Sequence, residues 1–216
     1  MYTVCRKLYF LLLLSLPLFA SGCGGSAVTQ YYLLNTVSPG VEKTAAAVSP
    51  EGENVDVVKD RSIQRVAIRQ LEIPRYLDRP RIVSRDAENH LRIAESHQWG
   101  GRLRENIART LSDDIAERLP SVDLRTAPFP GSMLADASLL IDIRQFELLA
   151  DGRMHMKVRW HVQRTGKSSQ SYFDHLISDN PIGERDYAGM AASMSSLLAR
   201  LADKMASAIV NLPTQE

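Results

Sequence analysis

The residues of this 216-residue chain with chemical potential are five histidines, the tetrad Thr165-Gly166-Lys167-Ser168 and a cysteine at position 23. The tetrad has the ending of a phosphate-binding loop. Such a loop starts with a glycine where this chain has His161, and it leads from a strand into a helix. Here it joins two strand-like segments, so the reading is a hairpin turn. Of His90, His97, His155, His161 and His175, only His155 and His161 fall on one strand face. Six residues of strand separate them by about 20 Å, too far for one metal ion, which leaves a solvated basic face. A Gly-x-Ser-x-Gly elbow is absent, and the carboxylates show no spacing that singles out an acid–base pair. The expectation is a chain that is not an enzyme and that takes no cofactor and no metal.

Cys23 is where covalent chemistry is expected. Arg6 and Lys7 precede an apolar run over residues 8–20, and Ala20-Ser21-Gly22 lead into the cysteine. A charged start, a short apolar stretch and small residues make a secretory signal peptide, and 13 apolar residues are too few to span a bilayer. Small residues directly before cysteine match the bacterial lipobox, although Ala20 stands where leucine is usual. The reading is a signal peptide at 1–22, lipid attachment through an N-acyl and S-diacylglycerol anchor on Cys23, and a tether at 23–27. Each buried methylene of an acyl chain contributes roughly 0.8 kcal/mol, so three chains hold durably. Gly24, rather than aspartate, directs the expectation to the periplasmic face of the outer membrane. The other cysteine, Cys5, lies inside the removed peptide, so the mature chain forms no disulfide. Loss of Arg6 and Lys7 takes the formal charge from +1 to −1, which does not recommend nucleic acid as a partner.

The folded part is expected as one domain over 28–213. Residues 28–35 read as a first strand, beginning under roughly 20 Å of extended chain after Cys23. Residues 36–60 carry Pro, Gly and charge without periodicity and read as a mobile excursion. In 64–73 the apolar phase slips from Val66 and Ile68 to Leu71 and Ile73, which predicts a bulge at Arg69-Gln70. A hairpin around 87–89 follows, then a helix over 99–119 with Leu103, Ile107, Leu111, Ile115 and Leu119 on one face. Four more strand segments come next, with Asp151-Gly152 marking a hairpin. Along one of them Met154, Met156, Val158, Trp160 and Val162 alternate with polar residues. A second helix over 184–212 carries a stripe that includes Met190, Met194 and Met205, read first as core. The fold class is α/β: a mixed β-sheet covered by two main amphipathic helices.

Between two strand-like segments lies Glu-Ile-Pro-Arg-Tyr-Leu-Asp-Arg-Pro-Arg-Ile-Val-Ser-Arg-Asp, residues 72–86. Seven arginines against three acids from 61 to 86 give a local charge of +4. This suits either a solvated sheet edge or a docking patch for an acidic or anionic surface. Both prolines fix φ and extend the residue before them, giving a stiff turn. The segment from Ile73 to Arg85 resembles the I/L-P-x-Y-L-D-R-P-x-I-V-x-R signature of the ABC-type transport auxiliary lipoprotein family, the PqiC/YmbA group. Tyr31 to Leu34 looks like that family's early strand, and Trp99 like its tryptophan opening the first helix. The helix start here, Trp-Gly-Gly-Arg-Leu, departs from the family's Trp-Ala-Glu-Pro-Leu.

The resemblance implies an outer-membrane-anchored, non-catalytic subunit of an intermembrane lipid-transport complex. Its implied partners are an MCE-domain protein bridging the periplasm and an inner-membrane transporter component, with a homo-oligomeric ring as a further expectation. On this reading the loop presents Pro74, Tyr76, Leu77, Arg79, Pro80 and Arg81 to a partner. Two other readings stay open: a structural envelope lipoprotein that scaffolds outer-membrane assembly, and a lipid carrier with its own cavity.

Overall fold

The computed structural model describes residues 28–39, 63–127, 135–166 and 169–213. The expected signal peptide, Cys23 and most of the expected excursion lie outside the described residues. In chain order the elements are β1 (Gln30–Tyr32), β2 (Arg65–Glu72), β3 (Arg81–Ala87), β4 (His90–Trp99), α1 (Leu103–Arg118), β5 (Asp123–Thr126), β6 (Ala137–Leu148), β7 (Met154–Arg164), β8 (Ser169–Ile177) and α2 (Tyr187–Val210). The α/β class holds. The strands divide into two sheets, ordered β1-β4-β3 and β5-β2-β6-β7-β8. In the larger sheet β2 runs parallel to both β5 and β6, while β6, β7 and β8 form an antiparallel meander.

The alternation along β7 explains its place at the centre of the meander. Met154, Met156, Val158, Trp160 and Val162 are all within 1% of full burial and face the helices. Both helical stripes sit against this surface: α1 packs on β2 and β5, α2 on β6 and β7, and the helices pack on each other. Met190, Met194 and Met205 are buried in the core. The predicted bulge is present, with the β2–β6 register stepping from Ile68–Leu139 to Gln70–Leu140. The extra residue lets both Ile68 and Leu71 face inward, which strict alternation forbids.

Two element boundaries differ from expectation. Trp99 ends β4 instead of opening α1. Its N–H donates to the Pro80 carbonyl (2.7 Å), and the Gly100 N–H donates to the Tyr32 carbonyl (2.8 Å), so both belong to the sheet. A Cβ on Gly100 would come within 3.0 Å of the Leu33 side chain, so glycine here permits the close approach of β1. The first strand is also shorter than expected, because the chain turns inward at Leu34, which is fully buried. Side chains of both helices then grip its backbone. The Leu34 carbonyl accepts from Arg109 Nη2 and Thr110 Oγ1 (both 3.2 Å). The Asn35 N–H donates to Ser195 Oγ (3.1 Å) and the Val37 N–H to Asp114 Oδ1 (2.9 Å).

Candidate functional site

The loop between β2 and β3 is a tight turn. The Pro74 carbonyl accepts from the N–H groups of Leu77 (2.9 Å) and Asp78 (3.3 Å), and the Arg79 N–H donates to the Leu77 carbonyl (2.8 Å). This geometry sends Leu77 inward, where it is 3% exposed. It lies beside a void of about 10 Å³ lined also by Ile82, Trp99, Leu103 and Phe146.

Tyr76 follows Leu77 only partway. Its hydroxyl donates to Glu147 Oε2 at 2.6 Å, and Arg85 Nε donates to Glu147 Oε1 at 2.9 Å. Gln145 Nε2 completes the set at 3.3 Å. The Glu147 side chain is fully buried. A carboxylate taken out of water costs several kcal/mol unless charge and hydrogen bonds replace the solvent, and this group has both. The neighbours register its charge. Burial raises the Tyr76 hydroxyl far above its ordinary value, the bond to Glu147 adds to this, and Arg85 opposes it. The hydrogen bond to Glu147 raises the Arg85 guanidinium likewise. The Arg85 guanidinium carbon also lies 5.8 Å from the Tyr76 ring centroid, within cation–π range.

The six loop residues expected at a partner surface therefore divide. Arg79, Pro80 and Arg81 are exposed on the rim. Pro74 is partly buried and supplies the carbonyl that closes the turn. The expectation that Leu77 is presented outward is corrected: its side chain is core, because the turn points it at the apolar space between β3 and α1. Tyr76 is half-buried, and its polar tip is committed to Glu147. The arginine cluster likewise divides, with Arg85 turned in to the buried Glu147 and Arg65 exposed in an ion pair with Asp136 (3.1 Å). Arg69 and Arg75 remain exposed.

Glu147 was missed in the sequence, although a lone carboxylate in the apolar run Phe146-Glu147-Leu148-Leu149 is a usable signal. A second missed group is a chain of Asp151, His155 and His175. His155 Nε2 meets Asp151 Oδ2 at 2.8 Å, and its Nδ1 meets His175 Nε2 at 3.1 Å across the β7–β8 pair. His155 is 8% exposed, which corrects the expected solvated position. Among the described residues, no group of three or more His, Cys, Asp or Glu is arranged to hold a metal ion. Elsewhere, an open groove of about 610 Å³ runs between β2 and α1, lined by Arg69, Glu72, Arg104, Glu105 and Arg109 among others.

Residues 49–206 match the family model described as "ABC-type transport auxiliary lipoprotein component". No curated protein is significantly similar in sequence. Two solved structures share the fold. One, of a protein described only as uncharacterized, is 17% identical, with a TM-score of 0.64 over 85% of this chain and 99% of its own. The other is a Xanthomonas campestris protein of the DUF330 family, 14% identical, with a TM-score of 0.56 over 86% and 95%. A PelC dodecamer from Paraburkholderia phytofirmans is a more distant likeness, 13% identical, with a TM-score of 0.36 over 64% of this chain and 85% of its own.

Proposed function

The chain belongs to the ABC-type transport auxiliary lipoprotein family, and from that premise we propose that it is a lipid-anchored, non-catalytic subunit that docks a bridging transport protein at the outer membrane. In this reading Cys23 carries the acyl chains, and the body faces the periplasm. Its partners are an MCE-domain protein spanning toward an inner-membrane transporter component, and copies of the chain associate around that partner.

The observation that carries the reading is the construction of the loop at residues 74–80. Leu77 and the Tyr76–Glu147–Arg85 network fix its inner side, while Arg79, Pro80 and Arg81 stand free on its outer side. A surface held rigid before contact loses little conformational entropy on binding, which favours docking. Two arginines on such a rim suit a partner with acidic side chains.

Neither described space supports the carrier alternative. The internal void has the size of one water, and the larger groove is open, lined by Ile68, Leu71 and Ala108 as well as by charged side chains. A small-molecule site buries most of its ligand in a largely apolar cleft or cavity, which a water-sized void cannot do and an open groove does less well.

The test is co-purification of membrane partners with Arg79→Ala/Arg81→Ala. If each arginine contributes as interface arginines commonly do, recovery of the bridging protein falls at least about tenfold. Undiminished recovery with a correctly folded double variant removes the loop from the interface.

A further inference from the structure

We propose that the surface formed by Val28, Tyr31 and Leu33 lies directly on the phospholipid bilayer and fixes the orientation of the body beneath its anchor. The proposal rests on Cys23 being acylated, as argued above.

Six large hydrophobic residues stand exposed among the described residues, and three of them fall within the six positions 28–33. Val28 is 83% exposed, Tyr31 66% and Leu33 51%. The others, Ile93, Phe173 and Val210, belong to three separate elements. A cluster of this kind marks a contact surface, whereas scattered exposed residues need no explanation.

The length of chain outside the structure identifies the occupant. Val28 is the fifth residue after Cys23, and a fully extended chain of that length reaches under roughly 20 Å. A bilayer holding the acyl chains is therefore always within reach of this surface, while another protein surface must compete for the same place. The chemistry suits lipid as well. Tyrosine combines an apolar ring with a polar tip, the combination enriched at the headgroup boundary, and valine and leucine gain by leaving water.

The surface is also held in place. Tyr32, between the two outward residues, faces inward, with its hydroxyl 2.8 Å from His97 Nδ1 and its ring near Tyr187. From Leu34 to Val37 the backbone is gripped by Arg109, Thr110, Ser195 and Asp114. The apolar side chains are thus carried on a fixed ledge, and seating them sets the tilt of both sheets relative to the membrane.

The experiment uses the full lipidated chain in phosphatidylethanolamine–phosphatidylglycerol vesicles containing nitroxide-labelled phospholipid. Because Cys23 is blocked by acylation, single-thiol variants Val28→Cys, Tyr31→Cys and Phe173→Cys take a fluorophore at one known position. Phe173 is 61% exposed on β8 and serves as the reference for an apolar site away from the anchor. Quenching at 28 and 31 several-fold above that at 173 is expected. Equal quenching at all three, in a chain shown by mass spectrometry to be acylated and by its melting curve to be folded, overturns the inference and leaves the functional proposal standing. A blue-shifted emission at 28 and 31 without lipid quenching also overturns it, because the surface is then covered by protein. An unacylated Cys23 overturns both.

Discussion

Tyr76 and Glu147 are 71 residues apart in sequence and 2.6 Å apart in space, joining the β2–β3 loop to the end of β6. Because Arg85 holds the other carboxylate oxygen, the loop, β3 and β6 meet at one buried charge. Tyr76→Phe keeps the ring and removes one of the hydrogen bonds to the fully buried Glu147 carboxylate. A loss of about 1–3 kcal/mol is expected in urea unfolding. Glu147→Gln on its own removes the charge that Arg85 neutralises. A double-mutant cycle on the two positions should give a coupling energy clearly different from zero, since they share one network.

Leu77→Ala separates what the loop needs for folding from what it needs for contact. Truncating a fully buried leucine costs about 2–5 kcal/mol, and the void already beside it leaves little to collapse inward. The double substitution of the rim arginines should change stability by less than about 0.5 kcal/mol, as exposed positions generally do. Parallel melting curves and partner recoveries thus distinguish a weakened scaffold from a weakened contact.

Asp114 gives a pH dependence with a definite sign. Its side chain is fully buried on α1, and Oδ2 has no hydrogen-bond partner among the described residues. Burial raises its carboxyl to about 6, against smaller lowering effects of the Val37 N–H and Arg118 and further raising by Glu117 and Asp113. The native chain therefore binds a proton more tightly than the unfolded one. This group favours folding most below about pH 4, and the benefit is lost as pH rises through 6. Asp114→Asn keeps an acceptor for Val37 and removes the charge. Thermal melts should show the variant gaining about 1–3 kcal/mol over the parent at pH 8, with no such gain at pH 4. A constant difference across that range would show that the carboxylate is not the cause.

His175 acts in the opposite direction. Burial, Lys157 and His155, in that order, hold the His175 imidazole below its ordinary value, so the unfolded chain binds its proton more readily. Stability from this group is present above the ordinary histidine value and is lost as pH falls through the depressed native one. With Asp151 ionised, His155 donates through Nε2 and accepts at Nδ1 from His175. NMR titration should find His175 titrating below the ordinary histidine value, and Lys157→Met should raise it.

Much of this was legible in the sequence because it depends on local periodicity. The slip in phase between Ile68 and Leu71 marked the bulge, and the four-residue spacing from Leu103 to Leu119 marked α1. The inward face of β7 followed from simple alternation. What was not legible depended on partners distant in the chain. Trp99 reads as the start of a helix until Pro80 and Tyr32 are seen to claim the N–H groups of Trp99 and Gly100. Leu77 reads as a surface residue of a proline-bounded turn until the apolar space beneath it is filled. Glu147 and the His155–His175 contact were hidden for the same reason, since neither strand alone indicates which residue lies across from it.

The grip on residues 34–37 also has a mechanical consequence. Traction applied through the amino terminus first meets β1 on the edge of its sheet and then a peptide segment held by both helices, with bonds from Arg109, Thr110, Ser195 and Asp114. A strand lying only on an open edge would peel away one bond at a time. Behind β1, bonds from two different helices hold the stem, so loosening of the edge strand alone does not free it.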